Sequence, residues 1–158
     1  MDTHLSQDEY LFLGNILVFS PGNYTNIKVV ENKLLFPQAL LFRKDDELTE
    51  WYKKYARTFI TDQVDRFRKE INTSINGLTF SDTKSQWGRC THNNRLQFNW
   101  RLIMAPILVI NYVVIHELAH TIEKNHTRAF WAIVRKYNPS YRQQIIWLKK
   151  HGTKLQLV

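Results

Sequence analysis

Residues 116–126 read His116-Glu117-Leu118-Ala119-His120-Thr121-Ile122-Glu123-Lys124-Asn125-His126, and the reading of the chain turns on this stretch. On a helix, residues i and i+4 share one face one turn apart, so the imidazoles of His116 and His120 can reach one ion. Glu117 lies about 100° further round, where it can flank a water at that ion without being a ligand. From the chain's own composition, an accidental match to the five-residue pattern is on the order of one in a hundred, so chance explains it poorly. A pair of ordinary core histidines explains it no better. Val113, Val114, Ile115, Leu118 and Ala119 surround the two imidazoles. Burying them with a carboxylate on so apolar a helix is costly unless a divalent metal compensates.

A zinc site needs a third protein ligand, and spacing nominates His126. The run His116-x3-His120-x5-His126 has the ligand spacing of the long zincin pattern, in which glycine stands three residues after the second histidine. Glu123 occupies that position here. Asn125, which tolerates left-handed backbone geometry, is expected to make the turn instead. Glu123 is a rival ligand, but it lies about 10 Å along the axis from His116 if the helix stays regular. A loop histidine can fold back onto the ion, so His126 is preferred. His92 and His151 are more distant candidates, and His4 falls in an expected tail. Three histidines leave a coordination position open to water, which marks a catalytic rather than a structural zinc site. Glu117 is then the general base, taking the water's proton as it attacks a carbonyl.

Outward from the helix, the pattern is strands first and helices later, an α+β arrangement. Short strands are expected at 10–19, 27–30 and 33–36, separated by Ser20-Pro21-Gly22-Asn23 and Glu31-Asn32. From 45 to 72 the period becomes helical, with Leu48, Trp51, Tyr52, Tyr55, Phe59, Val64, Phe67 and Ile71 as a core-facing stripe. Asp45 or Asp46 is the expected N-cap, and Asn76-Gly77 the turn beyond. Strands at 78–84 and 95–103 flank a loop at 85–94, and Pro106 opens a helix running to about residue 124. The second of these strands directly precedes that helix, so it is the expected edge for an extended peptide. Two further helices are expected at 127–137 and 140–151, with Gly152 as the stop.

The chain has 158 residues, 44% of them hydrophobic, which suits a single domain spanning 1–158 with a small β-rich part at 1–44 and a catalytic core at 45–158. The single cysteine, Cys90, rules out an internal disulfide. It reads as a small packed residue; as a fourth metal ligand it would close the site. The polar start, Met1 to Asp8, has no basic leader, and no apolar run is long enough to span a bilayer. The expected location is cytoplasmic. A net charge of +8 favours acidic partners, nucleic acid among them. The basic triplets are spread along the chain, however, and read more simply as solvated helix faces.

The stretch from Tyr112-Val113-Val114-Ile115 through the two histidines, with Asn125-His126, Phe130-Trp131 and Trp147-Leu148 after it, resembles the YgjP-like zinc-dependent metallopeptidases, relatives of the SprT group. Gln86-Trp87-Gly88-Arg89-Cys90, followed by Arg95 to Leu102 and Ala105-Pro106, is similar to that family's upstream block. Family members usually read Arg-Trp-Gly-Ser-Cys there, so Gln86 and Arg89 depart from the pattern. The resemblance is dense from about residue 79 to residue 152 and loose over the first 75. It implies a zincin-like fold, one zinc per chain on His116, His120 and His126, and a peptide or protein substrate. Because SprT relatives are associated with DNA-bound protein substrates, it also keeps nucleic acid as a possible partner. The alternatives to a zinc peptidase are a non-catalytic zinc-stabilised module that binds nucleic acid or protein, and a zinc hydrolase acting on a non-peptide amide or ester. An open coordination position favours an enzyme and a fourth protein ligand favours the module.

Overall fold

The computed structural model describes residues 5–83 and 85–155; His4 and Lys84 lie outside the described residues. Among the described residues, two small sheets and four α-helices make up an α+β fold. The expected first strand is a hairpin, β1 (Glu9–Phe12) and β2 (Asn15–Gly22), closed by Leu13 and Gly14. Both turn residues have positive φ, 48° and 79°, the geometry whose twist matches a two-residue hairpin. A continuous apolar run across Leu11, Phe12 and Leu13 hides this break from periodicity. β3 (Lys28–Val30) turns through Glu31 into β4 (Lys33–Pro37), which lies parallel to β2, giving the sheet order β1-β2-β4-β3.

α1 (Lys44–Ile71) is the long helix the sequence predicts. Asp45, Asp46 and Glu47 occupy its first turn and Arg68 and Lys69 its last, both favourable to the helix dipole. Asn72 ends it in a left-handed conformation. Its buried face runs Leu48, Trp51, Tyr52, Ala56, Ile60, Val64, Phe67 and Ile71. Tyr55 of the expected stripe is exposed instead. The Tyr52 hydroxyl donates to the Leu11 carbonyl at 2.7 Å, tying the helix to the hairpin.

The second sheet corrects the expected edge. β5 (Gly77–Ser81) pairs parallel with β7 (Arg95–Asn99), and β6 (Gly88–Cys90) pairs antiparallel with the other side of β7. β7 is therefore the centre of the sheet, and 100–103 belongs to a 3-10 turn, Trp100–Met104. The edge beside the helix that carries His116 and Glu117 is β6, inside the stretch expected to be a loop.

That helix, α2 (Ile107–Ala119), ends earlier than expected, with His120 as its C-cap. It packs against α1, β6, α3 (Arg128–Tyr137) and α4 (Tyr141–His151). Contact on so many sides explains why it is apolar nearly all round; Ile110, Val114, Ile115, Leu118 and Ala119 are fully enclosed. Among the described residues, no helix is long and apolar enough to cross a membrane.

The hairpin turn also sets the start of α2. Leu13 and Gly14 donate their amides to the carbonyls of Ile103 and Met104, at 2.8 and 3.0 Å. A Cβ on Gly14 would stand 2.9 Å from the Pro106 backbone. Gly14→Ala therefore meets both a left-handed backbone and a clash that no rotamer relieves, with an expected cost of about 1–3 kcal/mol. Chemical denaturation checks it; an unchanged midpoint would show that the turn relaxes freely.

Candidate metal centre

Three imidazoles meet at the C-terminal end of α2. The ligand nitrogens of His116, His120 and His126 all lie within 4.8 Å of one another, and Nε2 of His116 stands 3.3 Å from Nε2 of His126. A tetrahedral zinc holding nitrogens at about 2.0–2.1 Å places neighbouring ligands about 3.3 Å apart, so the separation fits such an ion. The donor set fits as well. Burial, then the charges of His120 and His126, push His116 down to about 4. Burial also lowers His120. Burial thus favours the neutral form of His116 and His120, the form that ligates a metal.

The early end of α2 brings His126 back to this cluster. Thr121 Oγ1 donates to the Leu118 carbonyl at 2.6 Å, competing with the helical ladder, and the amides of Thr121, Ile122 and Glu123 fold onto Leu118 and Ala119. Asn125 does not adopt the left-handed conformation expected of it. The chain reverses through these tight turns and a Thr127-to-Asn125 backbone bond of 2.8 Å, after which the Thr127 hydroxyl caps α3 at the Phe130 amide. Neither the Glu123 carboxylate nor the Cys90 thiol belongs to the histidine cluster, and His92 and His151 stand outside it too. Glu123 contributes its backbone instead: its carbonyl accepts a 3.0 Å bond from Nδ1 of His120, turning Nε2 toward the centre.

Three neighbours of the imidazoles escape a reading by metal-ligand spacing. The Tyr112 hydroxyl lies 3.3 Å from Nδ1 of His116. When Nε2 binds a metal, Nδ1–H donates to that oxygen and fixes the ring. Phe130 stacks under His120 with ring centroids 4.5 Å apart, and Trp131 stacks on His126 at 5.9 Å. Tyr112 sits one helical turn before His116, a signal present in the sequence, but an aromatic at that spacing reads equally as core.

Glu117 is buried, and that burial raises its carboxyl to about 7. Its Oε1 is 4.0 Å from Nε2 of His116. Gly88 of β6 makes room for it: a Cβ there would come within 2.9 Å of Glu117 Cγ and 3.0 Å of Val113 Cγ1.

Residues 20–151 match the family described as YgjP-like, metallopeptidase domain. The chain belongs to that family. No curated protein matches it. Among solved structures, the metallopeptidase zymogen of Pyrococcus abyssi abylysin is similar with a TM-score of 0.52 at 17% identity, over 58% of this chain and 94% of that one. The metallopeptidase zymogen of Methanocaldococcus jannaschii jannalysin gives a TM-score of 0.49 at 24% identity, over 60% and 96%. The likeness to abylysin is one of fold, and the YgjP-like chain shares its zincin-like α+β architecture. Membership of a metallopeptidase family implies a metal-dependent peptidase acting on peptides or proteins.

For this YgjP-like chain, metal analysis after gel filtration is expected to find one ion per chain, lost in His126→Ala and kept in Glu123→Ala. Tyr112→Phe is expected to weaken metal affinity by about 10–100-fold, the usual effect of removing an outer partner. Retention in His126→Ala with loss in Glu123→Ala would reassign the third ligand.

Proposed function

We propose that the chain is a zinc metallopeptidase in which His116, His120 and His126 hold one zinc and Glu117 is the general base, the whole of 1–158 serving as one domain. The observation that carries this reading is Glu117 itself: a buried carboxylate beside the histidine cluster and against a sheet edge. Among the described residues no hydrogen-bond donor holds its carboxylate, so the group is free to handle a proton. When bound, the zinc supplies Lewis-acid polarisation of the scissile carbonyl and activation of the attacking water. Glu117 accepts the proton of that water at Oε1 and delivers it to the departing amine nitrogen. The open side of β6 supports a peptide over a small ester or amide, because an extended chain can add there as a further strand. Val113 and Phe98 wall the inner side of that edge, next to Glu117.

Glu117→Gln keeps the shape of the side chain and is expected to retain zinc and fold while kcat falls about a hundred- to ten-thousand-fold. Loss of zinc in that variant would make the carboxylate structural; full activity with zinc bound would give the base to another group. Gly88→Ala tests the positioning. The added methyl displaces the Glu117 side chain, and a misplacement of about 1 Å can cost on the order of a hundredfold in rate. The expected outcome is a reduced kcat with metal content unchanged; an unaffected kcat would show that Glu117 does not need its present seat.

A further inference from the structure

If a peptide lies along β6, the strand's backbone and side chains dictate what that peptide carries. We infer that Arg89 selects substrates with an acidic side chain, Asp or Glu, at the position paired with it across the open edge. The inference rests on the peptidase reading and adds a substrate class to it.

The backbone sets the register. Asn99 donates to the Trp87 carbonyl and Thr91 to the Arg95 carbonyl, both at 2.9 Å. Bonded pairs alternate in an antiparallel ladder, so Trp87, Arg89 and Thr91 turn their polar backbone groups toward β7. Those of Gly88 and Cys90 face outward on the free side. An antiparallel peptide added there bonds to Gly88 and Cys90, and its residue opposite Arg89 falls at a non-bonded pair. Such pairs bring Cα atoms to about 4.5 Å and side chains closest together.

The side chains then divide between two faces. A Cβ on Gly88 would meet Glu117, Val113 and Phe98, and Cys90 packs on the core, so these two positions point inward. Arg89 points to the opposite face with its partner Gln97 and with Thr79, which Gln97 Nε2 reaches at 3.4 Å. Arg95, two residues before Gln97, lies on the same face. Arg89, Arg95 and Thr79 are all exposed.

This face carries unbalanced positive charge. Among the described residues neither Arg89 nor Arg95 is in an ion pair, whereas Asp82 is engaged by Arg101 at 2.6 Å and by the Trp100 indole at 3.0 Å. The Lys124 ammonium adds to the same end of the strand, held by the Thr91 carbonyl at 3.4 Å. A substrate carboxylate opposite Arg89 meets a free guanidinium, and a substrate ammonium meets repulsion. Cross-strand charge pairs of this kind change binding by up to about fivefold for each sign.

The test uses matched peptides that carry Glu, Gln or Lys at one position, scanned along the sequence. Two quantities are read: kcat/KM with the zinc-loaded protein, and Kd by fluorescence anisotropy with zinc-loaded Glu117→Gln. At one register position Glu is expected to exceed Lys by about fivefold or more, with the ratio shrinking as salt rises. Arg89→Met is expected to bring the ratio close to one and Arg89→Glu to invert it, an inversion that misfolding cannot produce. An unchanged ratio in Arg89→Glu, or equal Kd values for the three peptides, would overturn the inference. If no peptide is cleaved, the peptidase reading fails, and the anisotropy arm still decides the role of Arg89.

Discussion

α2 must be apolar to be enclosed and polar to be useful, and the molecule is arranged around that conflict. The helix packs against α1, α3, α4 and β6, and at its last turn it carries two imidazoles and a carboxylate into low-dielectric surroundings. The chain resolves this by ending the helix at His120, so that these polar groups emerge at one end of a largely apolar rod. Burial keeps His116 uncharged and raises Glu117 toward neutrality, which limits the desolvation cost. A glycine on the neighbouring strand leaves the space that Glu117 fills. The rest of the fold sets the position of this helix: the hairpin turn bonds to the segment before it, and α1 bonds to the hairpin.

Much of this was legible because it depends on local pattern. The 28 residues of α1 repeat an apolar stripe often enough that no competing period survives. The proposed ligands also sit in one short window, where helical spacing pairs His116 with His120 and the turns after the helix return His126 to them. What escaped was non-local or ran against local preference. β6 is three residues, Gly88-Arg89-Cys90, among turn formers, and it becomes a strand only because β7 offers it a partner. Leu13 takes a positive φ that its side chain disfavours, forced by the tightness of the hairpin. The end of α2 was misplaced because Thr121 to Lys124 are acceptable helix residues; the Thr121 hydroxyl bond to Leu118 decides against them.

The exchange of roles between β7 and β6 follows from topology. Adjacency in sequence to α2 suggested that β7 should border it. The chain returning from α1, however, lays β5 parallel to β7 on one side, and the antiparallel β6 takes the other. The open edge thereby passes to the strand whose glycine abuts Glu117. A peptide docking there would lie beside the proposed base, which β7 at the sheet's centre could not offer.

The compactness of the donor window carries a thermodynamic consequence. His116, His120 and His126 span only eleven residues of sequence, so an unfolded chain can still gather two or three imidazoles around an ion at little loop-closure cost. A ligand stabilises a protein only by the difference between its affinities for the native and denatured ensembles. Metal at this centre should accordingly raise the melting temperature less than an equally tight ion held by residues distant in sequence. The long-range contacts that complete the centre, Gly88 against Glu117 above all, exist only in the native ensemble. Chemistry at this site therefore reports on folding more faithfully than metal content does.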